Sequence, residues 1–411
     1  YEMTSSLVGS EMCIRDSLLP KPKTIKEQDG QMLLCHSTHI VMTKEVAETE
    51  MHAAKRLQEA IRQETGLILP FSVGEVREGD LSLGIAKTLP EQTYEITIDE
   101  KGGQISGGDG AGVLYGVETF CQIVQQCGGI LPCVQIQDAP DMPNRGYYFD
   151  QTRGRVLKLE ELKKIADRMC RYKLNQLQLY VEHTYLFRDF SEMWRDQTPL
   201  TAEEILELDS YCRERHIELV PSLASFGHLC TLLSTKTYGD LCEMEDSWKE
   251  PFSFWNRMRY HTINVSDERS LPLIKKMIAE YMQLFSSNKF NICADETFCL
   301  GKYKSKKLAE ERGVHRLYID YVKELAQFLV ENGKIPMFWG DIIWNSPELM
   351  KELPESMICL NWGYAPEQRE DETRAIAQTG AVQYLCPGVC GWNQWANLIE
   401  NSYKNITRMC G

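Results

Sequence analysis

The sequence lacks the features that identify several common classes of protein. No apolar run approaches the ~20 residues that a bilayer-spanning helix needs, so we expect no membrane partner. The chain holds 45 Lys and Arg residues against 59 Asp and Glu residues, a net charge of -14, and its basic residues form no long stripe. Such a chain repels a phosphate backbone, so we expect no nucleic acid partner.

Cysteine is abundant but lacks the spacing of a zinc module or a small disulfide scaffold. The fifteen cysteines include no C-x-x-C pair and follow no regular interval, which both kinds of module require. We therefore expect most of them to be buried, reduced thiols. No charged start followed by an apolar segment marks a secretory signal, so the cytoplasm is the default location.

The first twenty residues are treated apart from the rest. Ser5–Ser17, SSLVGSEMCIRDS, shows no amphipathic period and resembles a translated adapter sequence. We interpret residues 1–20 as a non-native leader and exclude them from the fold prediction. An export signal could have been lost with the original start of the chain.

The remaining chain is too long for one ordinary core. Residues 21–140 alternate short apolar strands with helices, which predicts a small α/β domain. In the fold as a whole, this is the α+β domain that precedes the barrel. The glycine-rich turn from Gly107 to Gly112 lacks the G-x-G-x-x-G register of a dinucleotide site, so we interpret it as structural. The two prolines of the following DAPDMPN are typical of an interdomain linker.

Residues 141–411 alternate strand-like and helix-like segments, the pattern of parallel β/α architecture. Helix starts are marked by a capping box at Thr201 and Glu204 and by an N-cap at Ser346 before Pro347. We interpret this region as a (β/α)8-type TIM barrel, truncated before its eighth strand. Its seven predicted strands are RGYYFD, NQLQLYVE, IELVPSLA, KFNICADE, IPMFWGD, MICLNW and AVQYLC.

Catalytic groups of such barrels lie beyond the carboxyl ends of the strands. Carboxylates among indoles suit a sugar site, because aromatic faces stack on the apolar side of a pyranose while carboxylates bind its hydroxyls. The residues at these ends, in strand order, are Asp150; Glu182 and His183; His228; Asp295 and Glu296; Trp339 and Asp341; Trp362 and Tyr364; and Trp392.

Several runs, in order, resemble family 20 of the glycoside hydrolases, the β-N-acetylhexosaminidases. FNICADETFCLG is similar to that family's fourth strand and acidic pair, RGYYFDQTRG to its first strand, VPSLASFGHL to its third-strand loop and MFWGDIIW to its fifth strand. The resemblance covers roughly residues 30 to 400, with the leader excluded. YVEHTY is similar to a divergent bacterial branch of exo-β-N-acetylglucosaminidases.

The resemblance implies a retaining exo-glycosidase that removes terminal β-linked N-acetylglucosamine or N-acetylgalactosamine. The substrate's 2-acetamido group would attack C1 and form an oxazolinium ion, without metal or cofactor. Glu296 would be the general acid and base, Asp295 would stabilise the oxazolinium, and Tyr364 would bind the acetamide oxygen. The expected partner is a β-linked glycan, and the oligomeric state is left open. The expected substrate-binding residues are Arg145, His228, Trp339, Asp341, Trp362 and Trp392.

Two features depart from the family pattern, and strand geometry adds a condition. His183 stands where many family members have an aspartate that relays charge to the catalytic acid, and Glu182 is the alternative for that role. The family's last strand, with its tryptophan and acidic residue, is not found. Because neighbouring residues of a strand point to opposite faces, Asp295 and Glu296 share a site only if the strand curls there.

Other interpretations remain open at this point. A non-catalytic carbohydrate-binding barrel would keep the tryptophans without needing an acid pair, and an enolase-like enzyme would use Asp150, Glu182 and Asp341 as metal ligands. His228 is as compatible with a satisfied core histidine as with a site residue. Trp248 and Trp255 fit either subsite walls or packing.

Overall fold

The computed structural model describes residues 17–368, 370–389 and 395–410. The leader prediction and Trp392 therefore fall largely or wholly outside the described residues. Two compact units are each assembled from separate stretches of chain: the first from the residues up to Tyr147 together with Glu160–Gln176 and Ser210–Glu218, the second from the remainder. No helix in the described ranges is long and apolar enough to cross a membrane.

The first unit is built on a mixed seven-stranded sheet with the order β1-β7-β5-β6-β4-β2-β3. Its strands are β1 (Thr24–Leu33), β2 (Ile40–Met42), β3 (Phe71–Val73), β4 (Leu81–Ile85), β5 (Tyr94–Asp99), β6 (Gly102–Gly107) and β7 (Ile130–Asp138). The helices that lie between these strands in the chain are α1 (Lys44–Thr49), α2 (Met51–Thr65) and α3 (Gly110–Cys127).

The glycine-rich turn serves the packing of α3. Asp109 caps the helix by accepting a hydrogen bond from the Gly112 N–H at 2.7 Å. A Cβ atom on Gly108 would lie 1.9 Å from the Pro90 carbonyl oxygen. A larger residue would therefore push the turn after β6 away from the loop that contains Pro90. Every residue from Ala111 to Val124 of α3 is buried, including the polar side chains of Glu118, Thr119 and Gln122.

The second sheet also has seven strands, and its order follows the chain from β8 to β14. The pairs from β10 to β14 are parallel. All seven predicted strands are confirmed, although the fourth ends five residues earlier than predicted. The strands are β8 (Gly146–Asp150), β9 (Gln176–Val181), β10 (Glu218–Leu223), β11 (Lys289–Asn291), β12 (Ile335–Trp339), β13 (Ile358–Gly363) and β14 (Val382–Pro387).

Helices separate these strands, as the β/α pattern predicts. The Thr201–Glu204 capping box is confirmed by reciprocal bonds of 2.9 and 3.2 Å. Ser346, however, binds His315 rather than capping the next turn, although Pro347 does begin a 3₁₀ helix. The α-helices are α4 (Leu159–Arg171), α5 (Ser191–Trp194), α6 (Ala202–Arg213), α7 (Cys230–Leu233), α8 (Phe254–Arg259), α9 (Ser270–Tyr281), α10 (Lys306–Arg312), α11 (Val314–Glu331), α12 (Asp371–Gln378) and α13 (Ile399–Cys410).

Within the described part of the chain, β8 and β14 each pair with one neighbour, so the sheet has two edges there. The core beneath it is formed by apolar residues of the strands and of helices such as α11, where Val322, Leu325 and Leu329 are fully buried. All thirteen cysteines in the described ranges are free thiols, and eight of them are buried. Parallel strands place their carboxyl ends at one edge of the sheet, where the candidate site lies.

Candidate active site

The chain curls immediately after β11, at the acid pair. Cys293, Ala294 and Glu296 have φ angles of 58°, 63° and 46°, in the left-handed region that residues with a Cβ rarely adopt. The extended backbone has already ended at Asn291. Strand alternation therefore no longer applies, and Asp295 and Glu296 face the same site.

Hydrogen bonds from neighbouring segments hold this strained turn. The Trp339 N–H donates to the Cys293 carbonyl oxygen at 2.9 Å, and the Tyr318 hydroxyl donates to the Ala294 carbonyl oxygen at 3.0 Å. The Glu296 N–H donates to Asp341 Oδ2 at 3.0 Å. Each residue held at positive φ costs about 1–3 kcal/mol, so such a turn persists only where surrounding contacts enforce it.

The loop after β10 approaches the acid pair so closely that it needs a glycine. A Cβ atom on Gly227 would lie 2.5 Å from the Asp295 carbonyl oxygen. The next residue, His228, is itself held at a φ of 60°. Two loops with constrained backbones thus meet at the same point, and they fix the position of the histidine relative to both carboxylates.

His228 lies between the two acids and is almost completely buried. Its Nε2 atom is 3.3 Å from Asp295 Oδ2 and 3.2 Å from Glu296 Oε2. Burial alone would lower the pKa of this imidazole, but the charge of Asp295 and the closeness of both acids raise it to about 10. The prediction that His228 belongs to the site is therefore supported by an ion-pair geometry rather than by ordinary core packing.

The two partly buried aspartates of the site respond oppositely to their surroundings. Burial would raise the pKa of Asp295, but His228 and the Arg153 guanidinium lower it overall. Burial and the nearby charge of Asp295 raise the pKa of Asp341 to about 8. Asp341 was predicted to bind substrate, yet its Oδ2 atom is used to hold the Glu296 backbone. Because the pKa of Asp341 is raised and that of Asp295 is lowered, Asp341 keeps its proton near neutral pH while Asp295 stays ionised.

Replacing Asp341 with Asn should mimic the protonated carboxyl group. The folded-state pKa of Asp341 lies above the ordinary value of 3.8. The stability that the protonated carboxyl group contributes is therefore present below pH ~4 and is lost as the pH rises through ~8. We expect the unfolding free energy of the wild type, measured by urea denaturation, to fall relative to Asp341→Asn across this range. Parallel curves for the two proteins would contradict a protonated Asp341.

Glu182 is buried at the carboxyl end of β9 but does not form the expected relay. Its side chain accepts hydrogen bonds from the Tyr180 hydroxyl at 2.9 Å and from Arg257 Nη2 at 3.0 Å. His228 Nδ1 makes no hydrogen bond with any residue that the structure describes. His183, the other candidate, lies 3.2 Å from the Thr231 hydroxyl through Nδ1. Neither residue therefore bonds to His228 in the way that a relay requires.

Arg145 is not placed for the substrate contact that the sequence predicted. It precedes β8, at the amino end of that strand, and its guanidinium donates to the carbonyl oxygens of Lys173 and Met142 at 2.9 and 2.7 Å. It also bonds to Gln92 and Tyr115. These bonds keep the guanidinium among residues of the first unit, where it satisfies backbone carbonyl oxygens that need donors.

Arg153 is the cation at the carboxyl end of β8, and the sequence analysis missed it. Its Nε atom is 2.7 Å from Asp150 Oδ2 and 3.9 Å from Glu182 Oε1, and its guanidinium lies over the Tyr180 ring at 4.7 Å. The signal was present in the run DQTRG, three residues beyond Asp150. The rule of examining residues just past each strand end would have found it.

Three of the four aromatic residues predicted for the site lie against another aromatic ring. Trp339 is buried against Tyr148 in an edge-on contact with a centroid separation of 4.9 Å. Trp362 and Tyr364 lie beside one another, with ring centroids also 4.9 Å apart, and Tyr364 is 38% exposed. Trp392 lies outside the described residues, so its predicted role stays a prediction.

The enolase-like metal set is not assembled, because Asp150 pairs with Arg153 and Glu182 pairs with Arg257. In the described ranges, one group could hold a metal ion by distance: ligand atoms of His228, Asp295 and Glu296 lie within 4.8 Å of one another. A histidine ligand must be unprotonated. The raised pKa of His228 favours the protonated form, in which the same three groups form an ion pair.

Comparison with known families matches both parts of the chain. Residues 16–139 match the model of domain 2 of glycosyl hydrolase family 20, and residues 143–405 match the model of the catalytic domain of that family. The catalytic-domain match covers well over half of the chain. It contains every element of the candidate site described above.

Relatives and solved structures agree with this match. A beta-hexosaminidase of Porphyromonas gingivalis is 24% identical over 91% of this chain and 50% of its own length, and one of Vibrio furnissii is 26% identical over 68% and 48%. The chain spans about half the length of these curated relatives. A Vibrio harveyi GH20 exo beta-N-acetylglucosaminidase bound to N-acetylglucosamine has a TM-score of 0.76 at 19% identity, over 94% of this chain and 63% of that one. Likeness at this identity shows the fold, a TIM-barrel type with a preceding domain of strands and helices.

Proposed function

Because the chain belongs to glycosyl hydrolase family 20, we propose that it carries the catalytic centre of a retaining exo-β-N-acetylhexosaminidase. The observation that carries this proposal is the curl after β11, which brings Asp295 and Glu296 to one site beside His228. A protein that only bound carbohydrate would have no reason to maintain two carboxylates on a strained turn. The expected substrate is a glycan ending in β-linked N-acetylglucosamine or N-acetylgalactosamine.

The two acids take different roles in the proposed reaction. Glu296 gives a proton to the glycosidic oxygen as the bond to C1 breaks, and later takes a proton from the attacking water. Asp295, whose pKa is lowered by His228 and Arg153, remains an anion. It accepts the hydrogen bond of the 2-acetamido N–H and stabilises the positive charge of the oxazolinium ion.

The surrounding residues position the sugar. Tyr364, partly exposed beside Trp362, is proposed to bind the acetamide oxygen, and the indoles of Trp339 and Trp362 form apolar walls. Arg153 takes the role that the sequence had assigned to Arg145, because it presents a guanidinium at the carboxyl end of the sheet. A planar guanidinium suits recognition of neighbouring ring hydroxyls.

The participation of the acetamide can be tested directly. A thiazoline analogue of the bicyclic intermediate should inhibit far more strongly than N-acetylglucosamine does, as ligands resembling a transition state do. Aryl β-glucosides without the acetamide should scarcely be hydrolysed, because they lack the nucleophile. Efficient hydrolysis of a β-glucoside, or a covalent glycosyl ester on a carboxylate found by mass spectrometry, would contradict the proposal.

A further inference from the structure

Three large aromatic side chains lie exposed in the segment between β10 and α9. Trp248, Phe252 and Trp255 are 60%, 82% and 61% exposed, and we call them the aromatic shelf. Single exposed apolar residues are ordinary, but three large ones within residues 248–255 are costly to leave in water and suggest a binding role. The catalytic mechanism described above uses none of them.

Helix α8 is anchored to the candidate site by the residues that follow Trp255. Arg257 Nη2 lies 3.0 Å from Glu182 Oε2, and Arg153 Nη1 lies 3.1 Å from Met258 Sδ. Glu182 and Arg153 are both at the carboxyl ends of their strands, the end that holds the acid pair. Residues three apart on a helix are surface neighbours, so Trp255 stands next to Met258 at the rim of the site.

The tryptophans of the shelf are held by neighbouring side chains, yet they remain mostly open to solvent. The Arg259 guanidinium is 5.3 Å from the centre of the Trp255 ring, and the Phe254 ring meets Trp255 edge-on. The Lys249 ammonium is 5.3 Å from the centre of the Trp248 ring. Such cation–π contacts restrict ring motion. The result is an apolar surface with hydrogen-bond donors beside it.

We propose that the aromatic shelf binds the sugar on the leaving-group side of the scissile bond. This inference rests on the proposed function, and it makes the substrate of this chain an oligosaccharide rather than a simple glycoside. An exo-glycosidase encloses one terminal sugar, so the rest of the glycan must pass over the rim of the site. Indole faces stack on the apolar C–H face of a pyranose, while Lys249 and Arg259 can donate to its hydroxyls.

The test compares two substrates that differ only in the leaving group. Methyl β-N-acetylglucosaminide has no second ring, whereas N,N′-diacetylchitobiose places a second sugar at the rim. In Trp255→Ala and in Trp248→Ala we expect kcat/KM for the disaccharide to fall about tenfold, mainly through a higher KM, as loss of an anchoring tryptophan contact does. The methyl glycoside should be hydrolysed as well as by the wild type. Trp255→Phe, which keeps an aromatic face, should lose less than Trp255→Ala.

Tyr172→Ala is the matched control, because Tyr172 is also exposed, at 45%, but lies between α4 and β9, before the amino end of that strand. It should leave both substrates unaffected. Equal losses on the two substrates would assign the shelf a structural role, and unchanged disaccharide kinetics would show that no sugar binds it. Either result would overturn the inference while leaving the proposed function standing. A wild-type protein that hydrolyses neither these substrates nor the matching β-N-acetylgalactosaminides would overturn both.

Discussion

Glu296→Gln should reduce the turnover of substrates with poor leaving groups by about 10²–10⁴-fold, the usual contribution of a general acid. A saccharide leaving group needs a proton as the glycosidic bond breaks, and the amide cannot supply one. Aryl substrates with acidic leaving groups depart without that proton, so their first step should suffer much less. Steady-state kinetics on N,N′-diacetylchitobiose and on an activated aryl glycoside measure the difference.

The control for this substitution is Glu268→Gln, at an exposed glutamate just before α9. It removes the same charge from the protein without touching the candidate site, so both substrates should be hydrolysed as by the wild type. If Glu296→Gln slowed the two substrates by the same small factor, the assignment of Glu296 as the general acid would be wrong.

Asp295→Asn should slow both kinds of substrate, by about 10²–10³-fold, because it removes charge stabilisation rather than proton delivery. It should also change His228, since the Asp295 carboxylate is the largest influence raising the pKa of that imidazole to about 10. We therefore expect the His228 pKa, followed by NMR titration of the ring, to fall clearly in the variant. Kinetics and titration thus report on the same contact independently.

Asp196→Asn serves as the control for this second substitution. The side chain of Asp196 is 83% exposed, and its Oδ2 atom lies 3.3 Å from Nε of Arg195, which is itself mostly exposed. Its replacement should alter neither the kinetics nor the His228 titration. An Asp295→Asn variant that kept wild-type rates, or one whose His228 pKa did not move, would separate Asp295 from the role proposed here.

Local sequence patterns were sufficient to predict the framework of this protein. Seven strands were predicted because apolar and β-branched runs recur between helical stripes, and the Thr201–Glu204 capping box was predicted because it needs only a four-residue pattern. The acid pair was found for a similar reason. Asp295 and Glu296 follow a buried run directly, and barrel topology alone places that strand end at the site.

Contacts between distant segments could not be predicted in this way. The bonds that hold the Arg145 guanidinium join it to the Lys173 carbonyl oxygen and to Gln92, which lie far from it in the chain. The pairing of Glu182 with Arg257 joins residues separated by 75 positions, and no local pattern indicates it. The sequence therefore left open whether Glu182 or His183 replaces the family aspartate of the relay. In the structure neither residue bonds to His228.

The sequence by itself determined the family resemblance, the parallel β/α framework and the position of Asp295 and Glu296 just past a buried strand, because these depend on local periodicity and on motifs that occur in order. The tertiary structure alone decided that both acids face one site. That outcome needs three residues at positive φ after β11, a conformation that these side chains disfavour. It is imposed by hydrogen bonds that Trp339 and Tyr318 donate to the turn and by the one that Asp341 accepts from it. These bonds exist only once the neighbouring strands and helix have packed.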